Sequence, residues 1–377
     1  MNIGFDAKRA FHNTSGLGNY SRFVIRILHE NFSQNNYFLF NPKTNDLWTP
    51  PKGGNIKEVL PKNSNGLYSA FWRSYQGQSK LEKHELDVYH GLSNELPPGI
   101  DKAKLNKKVQ TVVTIHDLIF LRYPELYKSI DLIIYRKKFK HAVDSADRVI
   151  AISETTKQDI IHFFGTEPSK IDVVYQGCDS LFYGKSSREE KDKTVQEFNL
   201  PQEYMLNVGT IEKRKNTLHI LKAMLEFKIE TPIVIAGKPT DYKKELEKFI
   251  AANLFLENKV HFIHNASNVQ IKHLYENSSF SIYPSIFEGF GIPVLESIAC
   301  GTPVITNSEG CFREAGGEAA LYVNPNSISE LGNAIGTLLA NSDVKTNLVS
   351  EMKNHLLKFE EKKLAQDLMN VYSKKQG

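Results

Sequence analysis

Two carboxylates and a glycine turn stand together in Tyr283-Pro284-Ser285-Ile286-Phe287-Glu288-Gly289-Phe290-Gly291-Ile292-Pro293-Val294-Leu295-Glu296. The pattern predicts a strand ending near Pro284, a tight turn at Gly289 and Gly291, and a helix with Pro293 in its first turn, where a missing N–H does no harm. Glu288 then lies in the loop and Glu296 inside the helix, at about 1.5 Å of rise per residue. Amides at such a helix start suit a phosphate, and the carboxylates can accept sugar hydroxyls. A second set, Asn207-Val208-Gly209-Thr210-Ile211-Glu212-Lys213-Arg214-Lys215-Asn216, predicts a strand ending at Gly209 and a helix from near Asn216. Three cations at a helix N-terminus oppose the macrodipole, so an anionic ligand explains them more simply than local structure does. Arg offers a planar fork and Lys a point charge, both suited to phosphate; a merely solvated loop is the alternative.

Two further sets are weaker. Val112-Val113-Thr114-Ile115-His116-Asp117 reads as a buried strand that delivers His116 and Asp117 at its carboxyl end. A histidine there can donate to a substrate hydroxyl, and a neighbouring acid can fix its tautomer. The bland alternative is a packed His116 and a turn-capping Asp117. Metal chemistry would need further ligands on helices, so no metal is expected. Gly16-Leu17-Gly18 would let backbone approach a ligand at the start of the next helix. Ser21 stands where a dinucleotide fingerprint needs its third glycine, and a plain strand-to-helix turn is the alternative.

The elements that must position these groups follow from a rhythm of short apolar runs and helical patterns, the signature of βαβ units. In the front half strands are predicted near 2–6, 37–40, 87–90, 109–115, 148–152 and 171–175, and helices near 18–31, 67–84, 130–146 and 153–164. Residues 41–66 read as an irregular loop region. The polar stretch 179–201 reads as a linker. Beyond it, strands are predicted at 203–208, 232–236, 259–263, 279–284 and 302–306, and helices at 216–228, 241–253, 268–277, 292–300, 327–340, 343–357 and 359–376. The expected fold is α/β, with two doubly wound Rossmann-like domains facing across a cleft: 1–178, then the linker, then 202–358. In such sheets ligands sit at the carboxyl ends of the strands.

Composition limits the classes. The 377 residues are 41% hydrophobic and 24% charged, which argues against disorder. A net charge of only +4 argues against a nucleic-acid binder. Residues 1–178 hold 24 basic and 18 acidic side chains, a net +6, and the remainder 23 and 25, a net −2. The run Arg136-Lys137-Lys138-Phe139-Lys140 could touch anionic lipid headgroups, a peripheral membrane contact. Cys178, Cys300 and Cys311 form no close pair, so neither a disulfide framework nor structural zinc is expected. No run approaches the ~20 apolar residues of a membrane span. Met1–Asp6 reads as a first strand rather than a signal peptide, and the expected location is the cytoplasm, possible contact with the inner face of the membrane included.

In combination these motifs resemble the retaining family 4 glycosyltransferases of GT-B fold, with greatest similarity to their mannosyltransferase B-like branch. The resemblance runs from Asn2-Ile3-Gly4-Phe5-Asp6 and Gly16-Leu17-Gly18-Asn19-Tyr20, through Thr114-Ile115-His116-Asp117-Leu118 and Val208-Gly209-Thr210, to Arg214-Lys215-Asn216 and Glu288-Gly289-Phe290-Gly291 with Glu296. It implies residue roles. Lys215 would bind the donor diphosphate, Glu288 the donor-sugar hydroxyls with the Gly289, Phe290 and Gly291 turn beside it, and Glu296 the ribose. His116 would lie over the sugar and its 6-hydroxyl, and Gly16 and Gly18 would approach the diphosphate and the acceptor. Asn19, Tyr20 and His90 fall on the acceptor side. His116, Lys215 and Glu288 would form the catalytic set, with neither metal nor cofactor. Many members carry Arg where this chain has Thr210, and Arg214 is expected to supply that charge. The last segment, 359–377, would cross back onto the first domain. The implied reaction moves a hexose, with GDP-mannose the favoured donor, to a hydroxyl of a glycan or lipid-linked glycan in cell-surface polysaccharide synthesis. A UDP-sugar-dependent enzyme of the same fold and a non-catalytic sugar-nucleotide-binding protein are the alternatives.

Overall fold

The computed structural model describes residues 1–61, 83–100 and 109–374. The helix expected at 67–84 lies almost wholly outside the described residues. The chain divides into two compact units: Met1–Gln176 with Glu360–Gly377, and Gly177–Phe359.

In the first unit, β1 (Asn2–Asp6), α1 (Lys8–His12), α2 (Gly16–Asn31), β2 (Asn36–Phe40), β3 (Ile56–Val59), β4 (Val88–Gly91), β5 (Gln110–Ile115), α3 (Ile119–Arg122), α4 (Ser129–Ser145), β6 (Arg148–Ala151), α5 (Glu154–Phe164) and β7 (Ile171–Val173) follow in order. The strands form one parallel sheet ordered β3-β2-β1-β4-β5-β6-β7. A parallel sheet is covered on both faces, and Val112, Val113 and Ile115 of β5 are accordingly buried without alternation.

The second unit runs α6 (Arg188–Glu197), β8 (Met205–Val208), α7 (Thr217–Glu226), β9 (Ile233–Ala236), α8 (Lys243–Ala251), β10 (Val260–Ile263), α9 (Asn268–Asn277), β11 (Phe280–Tyr283), α10 (Ile292–Ala299), β12 (Val304–Asn307), α11 (Phe312–Gly316), β13 (Ala320–Val323), α12 (Ile328–Ala340) and α13 (Ser342–Leu356). Its parallel sheet is ordered β10-β9-β8-β11-β12-β13. Both sheets therefore reverse direction beside their first strand, between β1 and β4 and between β8 and β11. Such switch points open a crevice at the carboxyl ends of the strands.

The last helix, α14 (Glu361–Ser373), packs Leu364, Ala365, Leu368 and Tyr372 into the first unit. A forked pair from Arg26 to Glu361 (2.6 and 2.8 Å) fixes it to α2.

Two edge strands escaped the sequence reading. They are β3 and β13, each at the edge of its sheet. Ile56-Lys57-Glu58-Val59 exposes its two central charges. Residues 179–201 are not an extended linker. Ser187 closes a capping box with Glu190, and α6 packs on α9, where Thr194 Oγ1 meets His273 Nδ1 at 2.7 Å in the interior. Only one residue of α6 is buried, which is why its sequence carries so little apolar signal.

Candidate active site

The second unit's site is built where β8 and β11 leave the sheet on either side of the switch point. After β8 the chain turns at Gly209 (φ 142°). A 3-10 turn, Lys213–Lys215, then hands over to α7 through Asn216 in the left-handed region (φ 62°). Asparagine tolerates that conformation, and its side chain donates to the Pro325 carbonyl at 2.6 Å. After β11 the loop 284–290 leads into α10 through Gly291 (φ 101°), with no side-chain cap. The Ile286 amide donates to the Arg214 carbonyl at 2.9 Å, which locks the two loops together.

Four donors converge on one oxygen, Glu288 Oε1: Lys215 Nζ at 2.5 Å, Arg214 at 2.6 Å, Ser285 Oγ at 2.6 Å and the Tyr283 hydroxyl at 2.9 Å. Lys215 also donates to the Tyr283 hydroxyl. The Lys215 and Glu288 side chains are each only 13% exposed. Burial opposes a charge on Glu288, but Lys215 and Arg214 outweigh it and hold the carboxyl at about 2. Among the described residues Glu288 Oε2 has no hydrogen-bond partner, so it remains available to a hydroxyl.

Arg214 is placed differently from the expectation that it would replace a phosphate cation. Its guanidinium is engaged by Glu212 at 2.6 Å, by Glu288 and by the Phe287 carbonyl. It clamps the two loops. Phe290 contributes backbone only, because its ring is buried edge-on against Phe359 at 5.7 Å. Gly289 is likewise buried.

Glu296 sits on α10, apart from the Lys215 cluster, with Tyr275 Oη 3.4 Å from its Oε2. Burial, reinforced by Asp179, lifts its carboxyl to about 7 against the pull of Tyr275.

The first unit places its candidates at the same ends of its strands. His116 follows β5. Its Nε2 lies 2.9 Å from the Leu92 carbonyl and must donate to it, and its amide donates to Asn94 Oδ1 at 2.7 Å. Burial holds the ring neutral, at about 4. Nδ1 therefore keeps its lone pair and has no hydrogen-bond partner among the described residues. That nitrogen can accept from a hydroxyl but cannot donate to one, and Leu92 rather than Asp117 sets the tautomer; Asp117 caps the Ile119 amide at 3.1 Å.

His90 and Tyr20 are interior groups, which corrects their expected acceptor role. His90 is fully buried, with Nδ1 2.6 Å from the Tyr372 hydroxyl and Nε2 2.8 Å from Thr114 Oγ1. Burial pushes it down to about 3. The Tyr20 hydroxyl reaches Thr114 at 3.1 Å, and its ring packs edge-on against His116 at 4.6 Å. Asn19 is exposed and accepts from Arg22 at 2.6 Å. Gly16 and Gly18 also part ways. A Cβ on Gly18 would lie 1.9 Å from the Asn13 carbonyl, whereas one on Gly16 meets nothing within 4 Å. Gly18 is required by packing, and only Gly16 faces open space. Among the described residues no group of three or more His, Cys, Asp or Glu could hold a metal ion.

The comparisons with known proteins agree with this architecture. The family model Glycosyltransferase Family 4 matches residues 38–180, and the model Glycosyl transferases group 1 matches residues 188–355. One model thus falls on each half of the chain, and the fold is the two-domain Rossmann-like GT-B fold. O-antigen chain mannosyltransferase B of Escherichia coli is 27% identical over 250 residues, 65% of this chain and 63% of that protein. O-antigen chain mannosyltransferase RfbU of Salmonella typhimurium is 29% identical over 249 residues, 66% of this chain and 65% of that protein. The match thus spans just under two thirds of the length of these relatives. Among solved structures, Anabaena Alr3699/HepE in complex with UDP superposes with a TM-score of 0.74 at 18% identity, covering 99% of both chains.

Three outcomes are expected. Gly18→Ala should destabilise the protein by about 1–3 kcal/mol, as overpacking does, and Gly16→Ala should leave the denaturation midpoint unchanged. Because the folded pKa of Glu288 lies below its ordinary value, its ionisation stabilises the fold above about pH 4.5, and that stability is lost as pH falls toward 2. Glu288→Gln should flatten this acid dependence in urea titrations and cost roughly 3 kcal/mol at neutral pH by stranding two cations. Glu296 has the opposite sign: its raised carboxyl loses stability as pH climbs from about 4.5 to 7. Glu296→Gln should therefore raise the melting temperature of the ligand-free protein above pH 7.

Proposed function

We propose that the chain transfers a hexose from a nucleoside diphosphate sugar to a hydroxyl of a glycan or lipid-linked glycan, with retention at the anomeric carbon and without a metal. The observation that carries this reading is Lys215 held against Glu288 at 2.5 Å, at the carboxyl ends of β8 and β11. A diphosphate would take Lys215 from Glu288, and the start of α10 would add its dipole. As the bond from sugar to phosphate breaks, charge builds on the leaving diphosphate, and preorganised donors stabilise it without reorganisation. Oε2 of Glu288 would accept a donor-sugar hydroxyl, and Glu296 the ribose hydroxyls. His116 Nδ1 would accept a further substrate hydroxyl. The acceptor would attack on the face the diphosphate leaves, and the departing phosphate would take its proton.

GDP-mannose is the proposed donor. The support is the likeness to the two O-antigen mannosyltransferases. A competing reading, transfer of an N-acetylhexosamine, draws on a Campylobacter jejuni N-acetylgalactosaminyltransferase that is 26% identical over 227 residues. The likeness to O-antigen enzymes also points to cell-surface polysaccharide as the destination.

Thermal shift against GDP-mannose, UDP-glucose and UDP-N-acetylglucosamine separates the readings. A ligand at ~100 times its dissociation constant stabilises by about 2.7 kcal/mol, and GDP compounds alone should do so. A UDP preference discards mannose and keeps the transferase, while silence toward every nucleotide overturns the reading. Lys215→Ala should lower kcat/KM by roughly two to three decades, the usual loss for one transition-state donor. Near-normal turnover of that variant would remove its assigned role.

A further inference from the structure

The start of α2 departs from the usual capping pattern. Ser15 stands at its N-cap, where a serine hydroxyl ordinarily accepts from the first amides of its own helix. Here it makes no such bond. The Ser15 hydroxyl donates instead to Asn13 Oδ1 at 2.5 Å, and the same oxygen accepts the Ser15 amide at 2.7 Å. The helix then opens on exposed Gly16, where a Cβ would meet nothing within 4 Å. One turn further on, Tyr20 lays its ring edge-on against His116 at 4.6 Å. The first turns of α2 therefore join an open, uncapped helix start to the flank of the buried histidine.

Arg22 ties these pieces together. Its Nη1 donates to the Ala10 carbonyl at 2.8 Å and to the Asn13 carbonyl at 2.9 Å, and its Nη2 donates to Asn19 Oδ1 at 2.6 Å. Ala10 lies in the last turn of α1, whose carbonyls have no partner within the helix. Asn13 is the residue that draws Ser15 away from capping α2. All three acceptors are neutral. Arg26, one turn later, pairs with Glu30 at 2.9 Å and with Glu361 at 2.6 Å, and Arg148 pairs with Asp172 at 2.5 Å. Arg22 meets no carboxylate among the described residues. It is half-buried, and burial lowers its pKa. A cation that exchanges water for carbonyls alone is a costly way to gain stability. The planar fork, which reaches several acceptors at once, is what this position uses.

We propose that Arg22 is a positioning residue: its fork fixes the loop from Asn13 to Gly16 and the first turns of α2, and through Tyr20 it fixes the seat of the His116 ring. The substrate then meets a surface set in advance, and none of its binding energy goes into ordering the loop. That this surface meets a substrate rests on the transfer reading above; that Arg22 holds it in place does not. Lysine at 22 would keep the charge and lose the fork, which separates the two properties.

Amide hydrogen exchange and turnover are read on the full chain carrying Arg22→Met or Arg22→Lys. Turnover is the release of nucleoside diphosphate from GDP-mannose, with water in place of the glycan acceptor. In Arg22→Met the amides of residues 15–19 should exchange about tenfold faster, because local opening becomes easier, while the strands of the first unit keep their protection. The kcat should fall roughly ten- to a hundredfold, the loss that a small misplacement causes. The KM for GDP-mannose should stay unchanged, since its proposed ligands Lys215, Glu288 and Glu296 belong to the second unit. Arg22→Lys should resemble Arg22→Met in both readouts, and it carries the test alone if the methionine variant does not fold. A lysine variant indistinguishable from the wild type would overturn the proposal by showing that charge suffices. Unchanged exchange at 15–19 would overturn it too, as would a lowered melting temperature with kcat intact. If the wild type releases no nucleoside diphosphate, the transfer reading loses support and exchange alone decides the positioning.

Discussion

One carboxylate oxygen holds the second unit's site together. Glu288 Oε1 receives Lys215, Arg214, Ser285 and Tyr283, and so joins the loop after β8 to the loop after β11. Two half-buried cations facing each other would be costly without an anion between them, and a buried carboxylate without cations equally so. Each therefore makes the other tolerable. The ligand-free protein thus holds both cations in a neutralised form. Arg214, gripped on the other side by Glu212 and the Phe287 carbonyl, keeps the loops in register.

The sheet provides what this arrangement requires. Strands β8 and β11 are neighbours in space but far apart in sequence, and the helices that follow them leave on opposite sides. Backbone geometry then brings the loops close. Glycine at 237 is forced, since a Cβ there would lie 1.8 Å from the Gly209 carbonyl. Gly291 turns in the left-handed region so that α10 starts beside Glu288. The carboxylate's position is thus set by topology and by two glycines before any side chain contributes.

Much of this was legible in sequence because parallel strands buried on both faces leave continuous apolar runs, and glycine and proline punctuate the helix starts after them. Glu288, Lys215 and His116 stand out for that reason, since His116 directly follows β5 and the other two lie in the loops after β8 and β11. What escaped depends on partners distant in the chain. The accepting role of His116 is decided by a carbonyl at Leu92, and nothing near position 116 encodes it. His90 resembles a site residue because it too lies near a strand end, yet Thr114 and Tyr372 occupy both its nitrogens. Arg214 and Lys215 look interchangeable in sequence, and only the positions of Glu212 and the Phe287 carbonyl make Arg214 the clamp. The helix at 188–197 was hidden by its own polarity, because it covers α9 with a single buried side chain.

The first unit solves a complementary problem. A histidine able to accept from a hydroxyl has to be uncharged and held in one tautomer. Burial lowers the affinity of His116 for a second proton, and the Leu92 carbonyl fixes the one it keeps. Tyr20 packs against the ring, and its hydroxyl enters a chain of buried contacts through Thr114 and His90 to Tyr372 on the last helix. Every member of that chain is buried, so each polar atom must find its partner inside the protein. A shift of α14 would strand His90 first and Tyr20 next. The docking of the final helix is therefore part of what holds the His116 ring in place.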